Sequence, residues 1–556
     1  MKVLQEADSI KIDNFFENDE TLRLILEEHL NGPFLDYAKR ELHAFGELCA
    51  NEIDERAKYT DREGEPRLIQ YDKFGEEVSE VWVNEGYRKT VQETYDTGIV
   101  GYVHKEIPEL GHKGNYTYSF AQGYLLSHAE PGFHCPVTLT LATAYLLDHY
   151  ADEHVKNLFL NNVCSTGEVP LYEGATFLTE RQGGSDVGAN VVKAVQEGDQ
   201  FRLYGEKYFA SNAGMAGVAM VLARIEGAQD GSRGLTLFAV PWRTEGGKLN
   251  GLRIRRLKDK MGVRAVPSGE VEFDGAIAYV VGDQTKGFYY MMEALNLSRI
   301  CNAVASIGIM RRALLESKAY ATRRNAFGNR LIDYPMVKDT IGKMAAKLHV
   351  EVATVFDFTQ QYERVTDGKA SDREKILNRL FIALMKKETA EQAIHFAHEA
   401  IEMHGGNGYI EDFVTPRLLR DAQVLTVWEG TANILGLELI RLVNKYEAHK
   451  LFLEEMRNRL VIIQDSEMKK AVFVELNKLS TDLTVFATLD NALQTFEAKG
   501  LMERMAHLYE SVVALEWAMK HGDKYEKLAD IYIEETWSLR KIGTTMKTVE
   551  YFDELI

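Results

Sequence analysis

Apolar spacing changes period twice along this chain, and that limits the fold more than any single motif. From about 172 to 283 the apolar residues come in short or alternating runs closed by turn residues: ATFLTE, FRLY after EGDQ, VAMVLA, LTLFAV after DGSRG, and VEF. A period of two describes a β domain. On both sides the spacing widens to three or four. After Lys286-Gly287, the residues Ile300, Val304, Ile307 and Leu314 share one helical face, as do Val337, Ile341, Met344 and Leu348. The last segment, 451–556, repeats this with Leu476, Leu479, Leu483 and Phe486, then Met505, Leu508, Val512 and Leu515. The first 170 residues read as mainly helical, with a polar, turn-prone interruption at TDREGEPRLIQYDKFGEE, 60–77.

The expected class is therefore α+β in four parts: an N-terminal α domain (1–171), a central β domain (172–283), a helical bundle (284–446) and an additional helical domain (447–556). At about 100–200 residues per domain, 556 residues suit three or four units. No internal repeat or low-complexity tract interrupts them.

Charge and cysteine usage then exclude several classes. The formal charge of −19 repels a phosphate backbone unless a basic stripe compensates, and the sequence has no such stripe. Cys49, Cys135, Cys164 and Cys301 stand far apart without paired ligand spacing, so neither a zinc site nor a disulfide framework is expected. His395, His398 and His404 lie close in sequence, but no carboxylate or cysteine cluster completes a ligand set, and no metal is expected. The start, MKVLQEADSIKID, lacks a basic flank followed by an apolar stretch, and nowhere do 18 apolar residues run together. These features suggest a soluble, cytoplasmic protein without a membrane span.

Five stretches invite a chemical reading beside a plainer one. LTERQGGSD (178–186) is a glycine turn leaving a strand, yet its small and hydroxyl residues would let backbone N–H groups and the Thr179 hydroxyl approach a planar heterocycle. GEKYFASN (205–212) reads as one more strand. RRNAFGNRL (323–331) resembles an exposed helix end, and EMHGGNGY (402–409) a helix stop. In RDAQVLTVWEGTANI (420–434), Glu429 is either a paired surface carboxylate or a base whose pKa is raised by Trp428 and the apolar run before it.

In their order and spacing, these blocks resemble the flavin-dependent acyl-CoA dehydrogenase family over roughly 100–445. RLKDKMGVRAVPSGEVEF (256–273), CPVTLTLA (135–142), DAQVLTVWEG and the helical extension are similar to its AidB-like branch, associated with the alkylation response and DNA binding. The resemblance implies an acyl-CoA dehydrogenase-like fold and FAD held by Thr179, Ser185, Ser211, Arg324, Phe327, Gly405, Gly406, Thr431 and Asn433. It implies an acyl-CoA substrate met by Ser185, Asn296 and Arg299, and Glu429 as the catalytic base. Because the matching Arg324 acts across a subunit boundary in the family, a homo-oligomer, dimer or tetramer, is implied. An electron-transferring flavoprotein is the implied electron acceptor.

Three positions depart from the family pattern. Phe209 stands where Trp is usual, Pro335 where many members carry Gln, and Ser298 where some members keep their base. Glu429 is left as the candidate base. Two alternatives remain open: an AidB-like nucleic-acid-associated flavoprotein, and a flavoprotein oxidase or monooxygenase on the same scaffold. The segment 451–556 carries 19 acidic and 13 basic residues, a net of −6, which weighs against DNA as a partner.

Overall fold

The computed structural model describes residues 12–556. The expectation that the N-terminus carries no targeting segment rests on residues 1–11, which lie outside the described residues. Among the described residues no helix is long and apolar enough to cross a membrane.

The first part comprises α1 (Glu20–His29), α2 (Gly32–Leu48), α3 (Asp54–Arg62), strands β1 (Arg67–Tyr71) and β2 (Glu77–Trp82), then α4 (Glu85–Asp96) and α5 (Gly101–His104). Strands β3 (Glu106–Ile107) and β4 (His112–Lys113) precede α6 (Tyr116–Ala129), α7 (Pro131–Tyr150) and α8 (Glu153–Val163). The interruption near 60–77 is thus more than a turn. Its RLIQY alternates in burial and pairs antiparallel with β2, because a period of two keeps one face of the hairpin covered.

The β domain contains β5 (Gly174–Phe177), β6 (Lys193–Glu197), β7 (Gln200–Ser211), β8 (Val218–Ile225), β9 (Leu235–Pro241), β10 (Leu252–Leu257) and β11 (Ser268–Val280). β7 pairs with β11, β11 with β9, β9 with β8, β8 with β6, and β6 with β7. Five strands therefore close a circuit, which removes their exposed edges. The long β11 pairs with β10, β7 and β9, and its register against β7 shifts at Gly269/Val271 and Asp274/Ala276.

Next come α9 (Gly287–Arg323), a short hairpin of β12 (Asn325–Ala326) and β13 (Asn329–Arg330), α10 (Pro335–Thr366), α11 (Asp372–His404), α12 (Thr415–Leu425) and α13 (Ala432–Tyr446). The last part is α14 (Ala448–Ile462), α15 (Glu467–Phe486), α16 (Asn491–His521), α17 (Asp523–Thr536) and two short turns, α18 (Lys547–Glu550) and α19 (Phe552–Leu555). α9 departs from the one-faced helix expected: from Leu297 to Met310 it is buried all round.

Packing divides the chain into two compact units, Leu30–Cys301 and a second made of the residues up to His29 with Asn302–Ile556. In the second, the apolar faces of α15 and α16 are buried as their spacing requires, and Tyr509 of α16 stacks on Phe381 of α11 with centroids 4.2 Å apart. The final helices therefore share a core with α10 and α11.

Candidate active site

The candidate residues fall in both units. In Leu30–Cys301 the stretch 178–192 is tied at its base by two buried charges. The Glu180 carboxylate accepts the backbone N–H of Val191 at 2.7 Å and of Val192 at 3.3 Å, and the Lys207 ammonium at 2.8 Å. Lys207 also donates to the Leu178 carbonyl at 3.2 Å, and Asn190 Nδ2 donates to the same carbonyl at 2.8 Å. Burial lowers the Lys207 pKa while Glu180 opposes the shift. Removing either partner would leave a buried charge uncompensated, at a cost of about 3–5 kcal/mol. The loop base is consequently firm.

The loop tip is open. Gly183 has φ 138°, and Ser185 is exposed. A Cβ on Gly184 would stand 2.5 Å from Thr179 Oγ1, so glycine there leaves the half-buried hydroxyl its place. Tyr208 N donates to the Thr179 carbonyl at 2.9 Å, which brings β7 beside the loop. The adjoining Phe209 ring is 54% exposed, and Lys258 Nζ lies 3.3 Å from the centroid of the Tyr208 ring. At the end of β7, half-buried Ser211 places Oγ 3.4 Å from Ser268 Oγ. Thr179 and Ser211 thus flank the exposed Phe209 ring, and Ser185 stands at the open tip of the loop.

On α9, Ser298 and Arg299 are buried, and Arg299 Nη1 donates to Asn296 Oδ1 at 3.1 Å, one helical turn back. A hydroxyl cannot act as a carboxylate base, so Ser298 stays outside the chemistry.

In the second unit, α9 ends at the β12–β13 hairpin. Its tip, Phe327, has φ 50° and is 98% exposed. Arg324 is exposed, and among the described residues its guanidinium makes no hydrogen bond or ion pair. Gly405 and Gly406 follow α11 with no atom within 4 Å of where a Cβ would lie. His404 is accounted for structurally: Nδ1 lies 2.7 Å from the Ala400 carbonyl oxygen, and its ring packs 4.2 Å from that of Tyr320.

Glu429 lies in the connector between α12 and α13. It has φ 60°, and Gly430 follows with φ 104°. A left-handed conformation costs a non-glycine residue about 1–2 kcal/mol, so the surroundings must hold it. Two side chains do so. The buried Lys386 ammonium donates to the Gly430 carbonyl at 2.8 Å, and Asn302 Nδ2 donates to the Leu425 carbonyl at 3.2 Å. Thr431 takes the N-cap position of α13 without a side-chain cap bond, and Asn433 is exposed in the first turn. The expectation of a desolvated Glu429 needs correction: both it and Trp428 are half-buried, since the apolar run turns partly outward and Val427 is 58% exposed.

A further cluster lies elsewhere in the second unit. Ligand-type atoms of Glu388, His507 and Glu510 come within 4.8 Å of one another. Lys347 Nζ sits among them, 2.9 Å from Glu388 Oε1 and 3.0 Å from Glu510 Oε2, and supplies their counter-charge. Sequence reasoning missed this cluster and the supporting Glu180, Lys207 and Lys386. The available signal was lysine inside apolar stretches, such as IALMKK before the second glycine motif.

Helices, a closed β circuit and long helices, in that order, define an α+β oxidoreductase scaffold. Residues 6–166 match the adaptive response protein AidB N-terminal domain, 175–276 the acyl-CoA dehydrogenase middle domain, and 285–444 its C-terminal domain. The chain belongs to the acyl-CoA dehydrogenase family, oxidoreductases that use FAD. It is 34% identical over 440 residues to acyl-CoA dehydrogenase family member 11 of Caenorhabditis elegans, covering 77% of this chain and 70% of that protein. It is 30% identical over 389 residues to the putative acyl-CoA dehydrogenase AidB of Escherichia coli, covering 68% and 69%. Among solved structures, C. elegans ACDH-11 in complex with C11-CoA aligns with TM-score 0.89 at 28% identity, over 100% of this chain and 96% of that one.

Proposed function

We propose that this protein dehydrogenates an acyl-CoA thioester to the trans-2-enoyl-CoA, with FAD as cofactor and Glu429 as base. The observation that carries the reading is the connector at 426–431, which presents a half-buried carboxylate on a left-handed turn next to an uncapped helix start.

The candidate residues of each unit fit FAD in kind. The exposed Phe209 ring, set edge-to-face against Tyr208, offers an apolar face in a stretch that also carries the Thr179 and Ser211 hydroxyls. Arg324 suits a pyrophosphate as a planar donor without an internal partner. Phe327 belongs to the same hairpin; Gly405 and Gly406 leave backbone open to a dinucleotide, and Thr431 and Asn433 begin a helix whose first N–H groups favour an anion. When bound, FAD accepts the hydride equivalent released from the substrate β-carbon.

Glu429 takes the α-proton, and its own backbone N–H is the donor offered to the thioester oxygen as enolate charge builds. Ser185, Asn296 and Arg299 are assigned to the substrate. An electron-transferring flavoprotein is the proposed electron acceptor, a homo-oligomer the proposed assembly and the cytoplasm the proposed compartment. Bleaching of the flavin by a panel of acyl-CoAs without oxygen tests the reaction. Glu429→Gln should keep FAD and acyl-CoA bound while bleaching slows by about 10²-fold or more. A parent protein bleached by none of the panel, or a Gln variant as fast as its parent, would overturn the reading.

The match of residues 6–166 to the AidB N-terminal domain favours a second reading, nucleic-acid association. Rapid reaction of the reduced flavin with oxygen would instead indicate an oxidase or monooxygenase.

A further inference from the structure

We propose that Lys386 is a positioning residue for the reaction, acting through the turn that carries Glu429; this rests on the reading of Glu429 as the base. Lys386 lies on α11 and is 1% exposed, yet its ammonium donates at 2.8 Å to the carbonyl of Gly430, the residue after Glu429. Glu429 and Gly430 are consecutive left-handed residues, at φ 60° and 104°. The turn is therefore a strained conformation, and the donor that holds it is a buried, charge-assisted one from another helix.

The geometry limits what Lys386 can do. A hydrogen bond to the Gly430 carbonyl fixes the plane of the peptide between Gly430 and Thr431. That peptide joins the Glu429 turn to Thr431, the N-cap residue of α13, so the helix start and the carboxylate are referred to one ammonium. Asn302 holds the other side of the connector at the Leu425 carbonyl, 3.2 Å away. Together the two side chains bracket 425–430. With Lys386 removed, the Leu425 side remains tied while the Gly430 carbonyl loses its donor, which weakens the hold on the left-handed turn.

Misplacing a reacting group by about 1 Å is enough to slow a step by about 10²-fold. Lys386→Met should therefore slow anaerobic flavin bleaching at saturating acyl-CoA by about 10- to 100-fold, with the dissociation constants for FAD and acyl-CoA within about twofold of the parent. Hydrogen exchange in the segment 424–433 should rise. Lys386→Arg, which keeps a charged donor, should restore part of both effects. In the Glu429→Gln background Lys386→Met should add no further slowing, because a turn that no longer carries a base has nothing left to position.

Lys386→Gln is held to the same comparison if the Met variant does not fold. Bleaching at the parent rate, exchange unchanged in 424–433, or full multiplication of the two single effects would overturn the proposal. If Glu429→Gln alone bleaches at the parent rate, the base assignment fails first, and the positioning role falls with it.

Discussion

Arg324 and Glu180 show how differently the fold treats two charges. Glu180 is buried, accepts three hydrogen bonds and holds its loop in one shape. Arg324 is exposed, and its guanidinium is unengaged among the described residues. Stability therefore does not depend on Arg324. Arg324→Ala should change the unfolding free energy of the flavin-free protein by no more than about 0.5 kcal/mol, the usual range for a surface substitution. Flavin occupancy after gel filtration should nevertheless fall, with acyl-CoA binding affected less. An occupancy equal to the parent would remove Arg324 from the cofactor site.

Between elements, two buried networks link helices that the sequence separates widely. Glu173, at the entry to β5, packs against Tyr95 of α4, whose hydroxyl lies 3.3 Å from its carboxylate and 2.8 Å from Thr140 Oγ1 of α7. Burial raises the Glu173 pKa to about 8, against hydrogen bonds from Tyr95 and Asn212. In the folded state the group thus holds its proton more tightly than in the unfolded chain, where the ordinary value is 4.5. Its contribution is present in full below the unfolded value and is lost as pH rises through about 8. Between pH 5 and pH 9 the stability of the parent, read by thermal unfolding, should accordingly fall by more than that of Glu173→Gln, by on the order of a few kcal/mol. Parallel curves would show that Glu173 does not carry this pH dependence.

The second network joins α10 and α11 to α16 and α17. Burial opposes the Lys347 charge, but Glu351, Glu388 and Glu510 outweigh it and hold its pKa above the ordinary value. Tyr532 of α17 donates its hydroxyl to Glu510. Lys347→Met would leave three buried carboxylates without their cation and should lower the unfolding free energy in denaturant by about 3–5 kcal/mol. A loss below about 1 kcal/mol would mean that protons replace the ammonium at little cost.

For the whole molecule, charge and composition bear on partners. The net charge is −19, and the segment 451–556 contributes −6 of it. Sequence-independent DNA affinity comes from neutralised phosphates, so gel-shift titration at physiological salt should find no tight complex with duplex DNA. Tight binding that weakens steeply with salt would favour the nucleic-acid reading instead. The same segment is no detachable tail, since Leu476, Leu479, Leu483 and Phe486 of α15 are buried.

Periodicity alone was enough for the α+β class and the succession of helices, strands and helices, because a strand or helix must cover one face at its own repeat. The core faces of α15 and α16 could likewise be read from spacing. Local motifs located the Thr179 loop, the Arg324 hairpin and the Glu429 connector, since glycines, hydroxyls and charges at short spacing are properties of neighbouring residues. Long-range partners were not readable. That Lys386 would reach Gly430, that Lys207 would pair with Glu180, or that Lys347 would gather three carboxylates depends on which side chains the packing of distant segments brings within about 3 Å. The strands within 60–82 were lost to their polar composition, and the half-open setting of Glu429 to the outward turn of Val427. Sequence determines which faces must be buried; tertiary structure decides which distant charges and carbonyls meet there, because a single buried polar group is tolerable where the fold supplies its partner.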